Sequence, residues 1–135
     1  MATITIQLHQ VGPSTSQATV RDHQFLVDRP IAKGGADLGP MGGEYFLSAV
    51  GGCFMSTLLA AIRARELKLS GIHTTVAGTL EENPTRFTSL ELSVSGDGDD
   101  ADQLEKLVEI ADRGCIMTNT LRGHIQVKIQ VAARV

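Results

Sequence analysis

The sequence lacks an excess of charge of either sign. Its 135 residues carry 12 Lys and Arg against 15 Asp and Glu, a formal net charge of −3. A nucleic-acid binder presents a basic patch or stripe, and no basic cluster stands in this chain for nucleic acid or for an anionic membrane surface. A long apolar run is also lacking. The one after Tyr45 is broken by Ser, Gly and Thr and closes at Arg63, which reads as short of the roughly 20 apolar residues that span a bilayer. The N-terminal MATITIQLHQ alternates apolar and polar residues, the pattern of a strand rather than of a signal peptide. The chain is therefore expected to be cytoplasmic, without a nucleic-acid or membrane partner.

Cysteine is scarce: only Cys53 and Cys115 occur. In a reducing cytosol a structural disulfide is not expected, which leaves catalysis, metal binding or plain burial. The two lie far apart and form no CxxC pair. His9, His23, His73 and His124 stand singly, without HxxxH or HExxH spacing, so no metal is expected. Internal repeats and low-complexity segments are absent. The length suits one core, and residues 1–135 read as a single domain.

The periodicities that remain give an α+β order. Ile4, Ile6 and Leu8 mark a first strand; Gly12-Pro13-Ser14 signals a turn; Ala18 and Val20, then Phe25 and Val27, mark two more extended segments. Residues 30–43, rich in Gly and Pro, predict an irregular loop. From 44 to about 67 Phe46, Val50, Phe54, Leu58 and Ile62 recur every fourth residue on a wide apolar arc. A helix with such an arc is buried on most sides, and a chain this small is expected to borrow part of that cover from a second subunit. Ser70-Gly71 ends it. Residues 72–81 and 86–96 form a hairpin around Glu82-Asn83-Pro84-Thr85; Leu104, Leu107, Val108 and Ala111 line an amphipathic helix ending near Gly114; Ile125, Val127, Ile129 and Val131 alternate as a last strand.

As residue types, both cysteines suit a core, where a free thiol acts as a small hydrophobe. Cys53 follows Gly51-Gly52, however, and each glycine costs a helix interior about 1 kcal/mol. Something must come close to the backbone there, either another helix or a reactant. Cys115 follows a helix stop and precedes Thr118-Asn119-Thr120, at an element boundary. A reactive Cys53 needs its thiolate stabilised, and it sits beyond the first helical turn, where the helix dipole acts. A cation is then required, with Arg21, Arg29 and Lys33 as candidates; Arg21 and Arg29 also read as exposed strand-end charges. Glu44 reads as a favourable acid at a helix start, or as the group that holds an arginine in place.

The stretches GPMGGEYFLSAVGGCFMSTL and ADRGCIMTNTLRG, together with the element order, resemble the OsmC/Ohr family of thiol peroxidases over nearly the whole chain. The resemblance implies antiparallel sheets around a long buried central helix and an intertwined homodimer with its active sites at the subunit interface. It implies that Cys53 reduces organic hydroperoxides, becomes a sulfenic acid and is resolved by Cys115 as a disulfide, in defence against oxidative stress. An external dithiol or lipoyl-type reductant then restores the thiols, and no cofactor is needed. Two features differ from the peroxidase pattern. The first turn, Gln10 to Thr15, has no activating arginine, so Arg21 is the first candidate and Arg29 the second. The position ten residues before Cys53 holds Gly43, with Glu44 one residue later. A rival reading is a binding or redox-sensing relative whose interface pocket takes a small apolar ligand and whose thiols are buried and slow. A cysteine hydrolase is disfavoured because no histidine falls near either cysteine in sequence.

Overall fold

The computed structural model describes residues 1–132; residues 133–135 of the expected 1–135 domain lie outside that description. The chain divides into two compact units, Met1–Phe46 and Leu47–Val135.

The first unit is an antiparallel meander of β1 (Gln7–Gln10), β2 (Ser16–Val20) and β3 (His23–Val27), in that order across the sheet. The first strand begins later than its alternation suggests. Pairing with β2 starts at Gln7, opposite Thr19, and leaves Ile4 outside the ladder at 84% exposure. Ala18, in the central strand, is fully buried. A two-residue turn joins β2 to β3 and holds Arg21 in the left-handed region, at φ 52°.

Beyond β3 the Gly/Pro-rich segment is ordered around one side chain. Asp28, 3% exposed, accepts the Arg29 amide on Oδ1 at 2.7 Å. Its Oδ2 accepts the Thr15 hydroxyl at 2.9 Å and the Ala36 and Leu38 amides at 3.3 and 3.2 Å. Its own amide bonds Pro40 O at 3.1 Å. A loop that folds back this tightly needs side-chain-free positions. A Cβ on Gly35 would lie 1.9 Å from Arg29 O, and one on Gly39 would lie 2.2 Å from Leu26 O.

The central helix α1 spans Gly42–Ala64, its first turn belonging to the first unit. It starts two residues before the expected point because Met41 caps it. Tyr45 N–H bonds Met41 O at 2.9 Å, and Glu44 Oε1 accepts the Met41 amide at 2.8 Å, the return half of a capping box. It ends at Ala64, earlier than expected: Glu66 takes a left-handed φ of 51° and Leu67 N–H closes back on Ile62 O at 3.2 Å. With 23 residues and a mean hydropathy of 1.7 over its most apolar window, α1 has the length and composition of a membrane-crossing helix, which corrects the shorter estimate from the sequence. Its apolar character has a core to serve: Val50, Phe54, Leu58, Ala61 and Ile62 are all buried.

In the second unit β4 (Ser70–Glu81) and β5 (Arg86–Asp97) form the expected antiparallel hairpin. After it come α2 (Leu104–Gly114), a short α3 (Ile116–Leu121) and β6 (Gln126–Val131). β6 adds to β5 in parallel, so this sheet is mixed rather than antiparallel throughout; the helical crossover through α2 and α3 supplies the return that a parallel pair requires. Leu90, Leu92 and Val94 of β5 alternate into the core with Leu104, Leu107, Val108 and Ala111 of α2, and fully burying each large side chain contributes about 1.5–3 kcal/mol. On this flank α1 lies close to β4. A Cβ on Gly51 would stand 2.7 Å from Val76 Cγ2, and one on Gly78 would stand 3.0 Å from Leu47 Cδ2.

Burial by itself acts to raise the Asp28 pKa, but hydrogen bonds from the Arg29 amide, the Ser14 and Thr15 hydroxyls and the Leu38 amide outweigh it and lower the pKa from 3.8 to about 2. The folded state therefore favours the charged form. Its contribution is complete above the unfolded value of 3.8 and is lost as pH falls through about 2. In Asp28→Asn an amide NH2 replaces one acceptor oxygen and leaves at least one buried donor unmatched. Thermal unfolding at neutral pH is expected to show the variant melting several degrees below wild type, with the gap narrowing below pH 3.8. A gap that does not change with pH would contradict the charge's role.

Candidate functional site

Cys53 is the twelfth residue of α1, half-buried, and its carbonyl accepts the Thr57 hydroxyl at 3.1 Å. Thr57 is one turn further along the same side of the helix. Its methyl group is the contact point for the end of α2: a Cβ on Gly114 would lie 3.1 Å from Thr57 Cγ2. The residue after Gly114 is Cys115, whose side chain is completely buried. The second unit thus seats the segment bearing Cys115 against the α1 turn that follows Cys53.

Cys115 occupies the joint between α2 and α3 in an extended conformation, φ −84° and ψ 119°. Its amide reaches Asp112 O at 3.3 Å, and its carbonyl receives the Asn119 amide at 3.0 Å and the Thr118 hydroxyl at 3.4 Å. Thr118 also bonds Asp112 O at 3.0 Å, and Asn119 Nδ2 bonds Arg113 O at 2.9 Å. The Thr-Asn-Thr run, expected only as a polar boundary, is a helical turn in which Thr118 and Asn119 satisfy carbonyls at the end of α2, while Thr120 bonds Ile116 O within α3.

Gly51 and Gly52 have different surroundings. Gly51 is buried against Val76, whereas Gly52 is exposed and an added Cβ would meet nothing within 4 Å. Leu47, Ser48, Gly51, Gly52, Met55, Thr74 and Val76 line an open groove of about 400 Å³, and Thr74 Oγ1 lies 3.0 Å from Met55 Sδ. Ser48, Gly51, Gly52 and Met55 follow the i, i+3, i+4, i+7 pattern of one helix face. With about 100° between successive residues, Cys53 projects from another face of α1.

The remaining candidates fall in the first unit. Arg21 is exposed on the β2–β3 turn. Glu44 is exposed and engaged in capping α1 through the Met41 amide. Arg29 and Lys33 border a cavity of about 430 Å³ within that unit. Among the described residues no three His, Cys, Asp or Glu side chains gather where a metal could be held. Sequence reasoning missed Asp28, read only as the end of a strand. Its signal was an aspartate preceding Pro30 and a glycine-rich stretch, the setting in which Asp binds backbone amides downstream.

An α+β chain with this long helix, its two sheets and its two cysteine-bearing elements defines a recognisable fold class. The family model described as OsmC-like protein matches residues 34–130, and the chain belongs to that family. Its fold is shared with an organic hydroperoxide resistance protein of Elizabethkingia anophelis, at 24% identity and TM-score 0.75, covering 99% of this chain and 98% of the other. An OsmC-like protein of Mycoplasma pneumoniae is similar at 19% identity and TM-score 0.82, covering 98% and 96%. An organic hydroperoxide resistance protein of Legionella pneumophila is similar at 21% identity and TM-score 0.75, covering 98% of each chain. No curated protein sequence matches the chain.

Proposed function

We propose that the protein is a cysteine-based peroxidase that reduces organic hydroperoxides in oxidative stress defence. The observation that carries this reading is the nearness of Gly114 to Thr57: a Cβ on Gly114 would stand 3.1 Å from Thr57 Cγ2, which places the residue preceding Cys115 beside the α1 turn following Cys53. Family membership and the names of two structural relatives support it. In the proposed reaction the Cys53 thiolate attacks the distal oxygen of ROOH. The O–O bond breaks, the alkoxide takes a proton and leaves as ROH, and Cys53 becomes a sulfenic acid. The Cys115 sulfur then attacks the Cys53 sulfur, the S–S bond forms, and the hydroxyl leaves with a proton as water. A dithiol of the external or lipoyl type returns two electrons and two protons, with no organic or metal cofactor. Arg21 is proposed as the cation that favours the Cys53 thiolate; Arg29, the second candidate, borders a cavity of its own.

A homodimer fits the surface of α1. Ser48, Gly52, Ser56 and Ala60 recur at intervals of four and are all exposed, with Leu59 beside them 44% exposed. Such a row of small side chains lets a second helix approach closely, and in the proposed dimer Gly52 would face the partner while Gly51 packs against Val76. The complete burial of Cys115 favours the competing reading, a binding or redox-sensing relative with slow thiols.

Stopped-flow oxidation by cumene hydroperoxide separates the two readings. The peroxidase reading predicts loss of both wild-type thiols at least about a hundredfold faster than free cysteine, abolished in Cys53→Ser; general acid and electrostatic effects of this kind commonly reach that size. Oxidation no faster than free cysteine would overturn it. Sedimentation analysis tests the assembly. Wild type is expected to run as a dimer and Gly52→Leu as a folded monomer, whereas a monomeric wild type would contradict the dimer.

A further inference from the structure

We propose that α3 is a hinged cover over Cys115, latched by the Arg122–Asp112 ion pair, which shields the Cys115 sulfur from outside thiols and reserves it for Cys53. The cover stands on geometry alone; the reservation for Cys53 rests on the peroxidase reading. Cys115 is fully buried although it sits at a chain joint, in extended conformation between two helices. What folds back over that joint is slight. α3 has six residues, well below the roughly 12–15 at which an isolated helix becomes even marginally stable. Thr118 is the one residue of it that is buried. Ile116 is 67% exposed, Asn119 and Thr120 are exposed, and Met117 and Leu121 are half-buried. A segment with so little apolar burial belongs to the parts of a fold that open locally, without global unfolding.

The bonds that keep α3 in place run to the last turn of α2 and straddle residue 115. Thr118 Oγ1 donates to Asp112 O at 3.0 Å, and Asn119 Nδ2 donates to Arg113 O at 2.9 Å. Beyond the helix, Arg122 Nη2 donates to Asp112 Oδ1 at 2.9 Å. Asp112 thus holds Thr118 with its carbonyl and the residue after α3 with its carboxylate. Gly123 follows at a left-handed φ of 87°, and β6 is then fixed by its ladder to β5. The movable piece runs from the Cys115 joint to Gly123, and the ion pair closes its C-terminal end. Its two side chains are 56% and 27% exposed, so the attraction is screened by salt and shifts an opening equilibrium by about fivefold at most. With the cover closed, half-buried Cys53 is the sulfur open to an outside thiol. In a Cys53–Cys115 disulfide the outside thiolate then attacks Cys53 and forms the mixed disulfide there, while Cys115 leaves as thiolate and takes a proton.

Alkylation of Cys115 by iodoacetamide, a small neutral reagent, reads the cover in full-length Cys53→Ser protein. Adding Arg122→Gln is expected to speed it about two- to fivefold, and Arg122→Lys, which keeps the charge, to restore the slow rate. Salt at about 1 M, where the screening length falls to about 3 Å, is expected to speed the parent and leave Arg122→Gln unchanged. Low urea is expected to change neither rate, because local opening exposes little surface. Equal alkylation with and without Arg122, or rates that climb with urea from the first addition, would overturn the cover. Salt that speeds both proteins equally would overturn the ion pair as its latch. The reservation is read on the oxidised wild type, treated with mercaptoethanol and quenched in acid: the mixed disulfide is expected on Cys53 alone, and finding it on Cys115 would overturn the shielding. Failure to form the disulfide at all would refute the peroxidase reading and the reservation with it, while the alkylation rates still decide the cover.

Discussion

The second unit depends on how closely α1 lies against β4. A Cβ at position 51 would come within 2.7 Å of the Val76 methyl, so a larger residue there requires Val76 to shift. Glycine costs a helix interior about 1 kcal/mol, but the close approach lets Val50, Phe54, Leu58 and Ile62 join the core with β5 and α2. The same seating fixes the rotation of the helix. With Gly51 facing the sheet, Cys53 and Thr57 project from a different side, where Thr57 meets Gly114. The geometry around the two thiols thus follows from a packing constraint two residues before Cys53.

The first unit is organised by polar rather than apolar burial. Its sheet is small, β1 is exposed along its whole length, and Ala18 is its one fully buried hydrophobic side chain among the described residues. Asp28 supplies what the core does not, by gathering amides from the start and the middle of the Gly/Pro-rich segment onto one carboxylate. A charge can be buried when each of its lone pairs meets a donor, and the lowered pKa of Asp28 expresses that match. The ordered loop carries Arg29 and Lys33 and delivers the chain to the Met41 cap, so one side chain shapes both the cavity and the entry to α1.

The fold was legible where periodicity was long. The four-residue recurrence from Phe46 to Ile62 identified α1, and the alternations around the Asn83-Pro84 turn identified the β4–β5 hairpin, because both patterns extend over ten residues or more. The OsmC/Ohr resemblance rested on the residues around Cys53 and Cys115 and is matched by the family to which the chain belongs. Features set by contacts distant in sequence were not legible. The parallel attachment of β6 leaves no mark on its alternation, and α3 is only six residues long, with polar side chains used on neighbouring carbonyls. Gly51 and Gly52 looked alike as neighbours, yet one is pressed against Val76 and the other is open. Asp28 was hidden for a related reason: its partners at Thr15 and Leu38 lie on either side of it in sequence, and only the folded loop brings them together.

The central claim is that Cys53 and Cys115 act as one redox pair. Peptide mapping by mass spectrometry, after treatment with one equivalent of an organic hydroperoxide, tests it most directly. The account predicts a single cross-linked species joining the Cys53 and Cys115 peptides, reversed by a dithiol. Cys53 carried on to sulfinic acid while Cys115 remains a free thiol would contradict it.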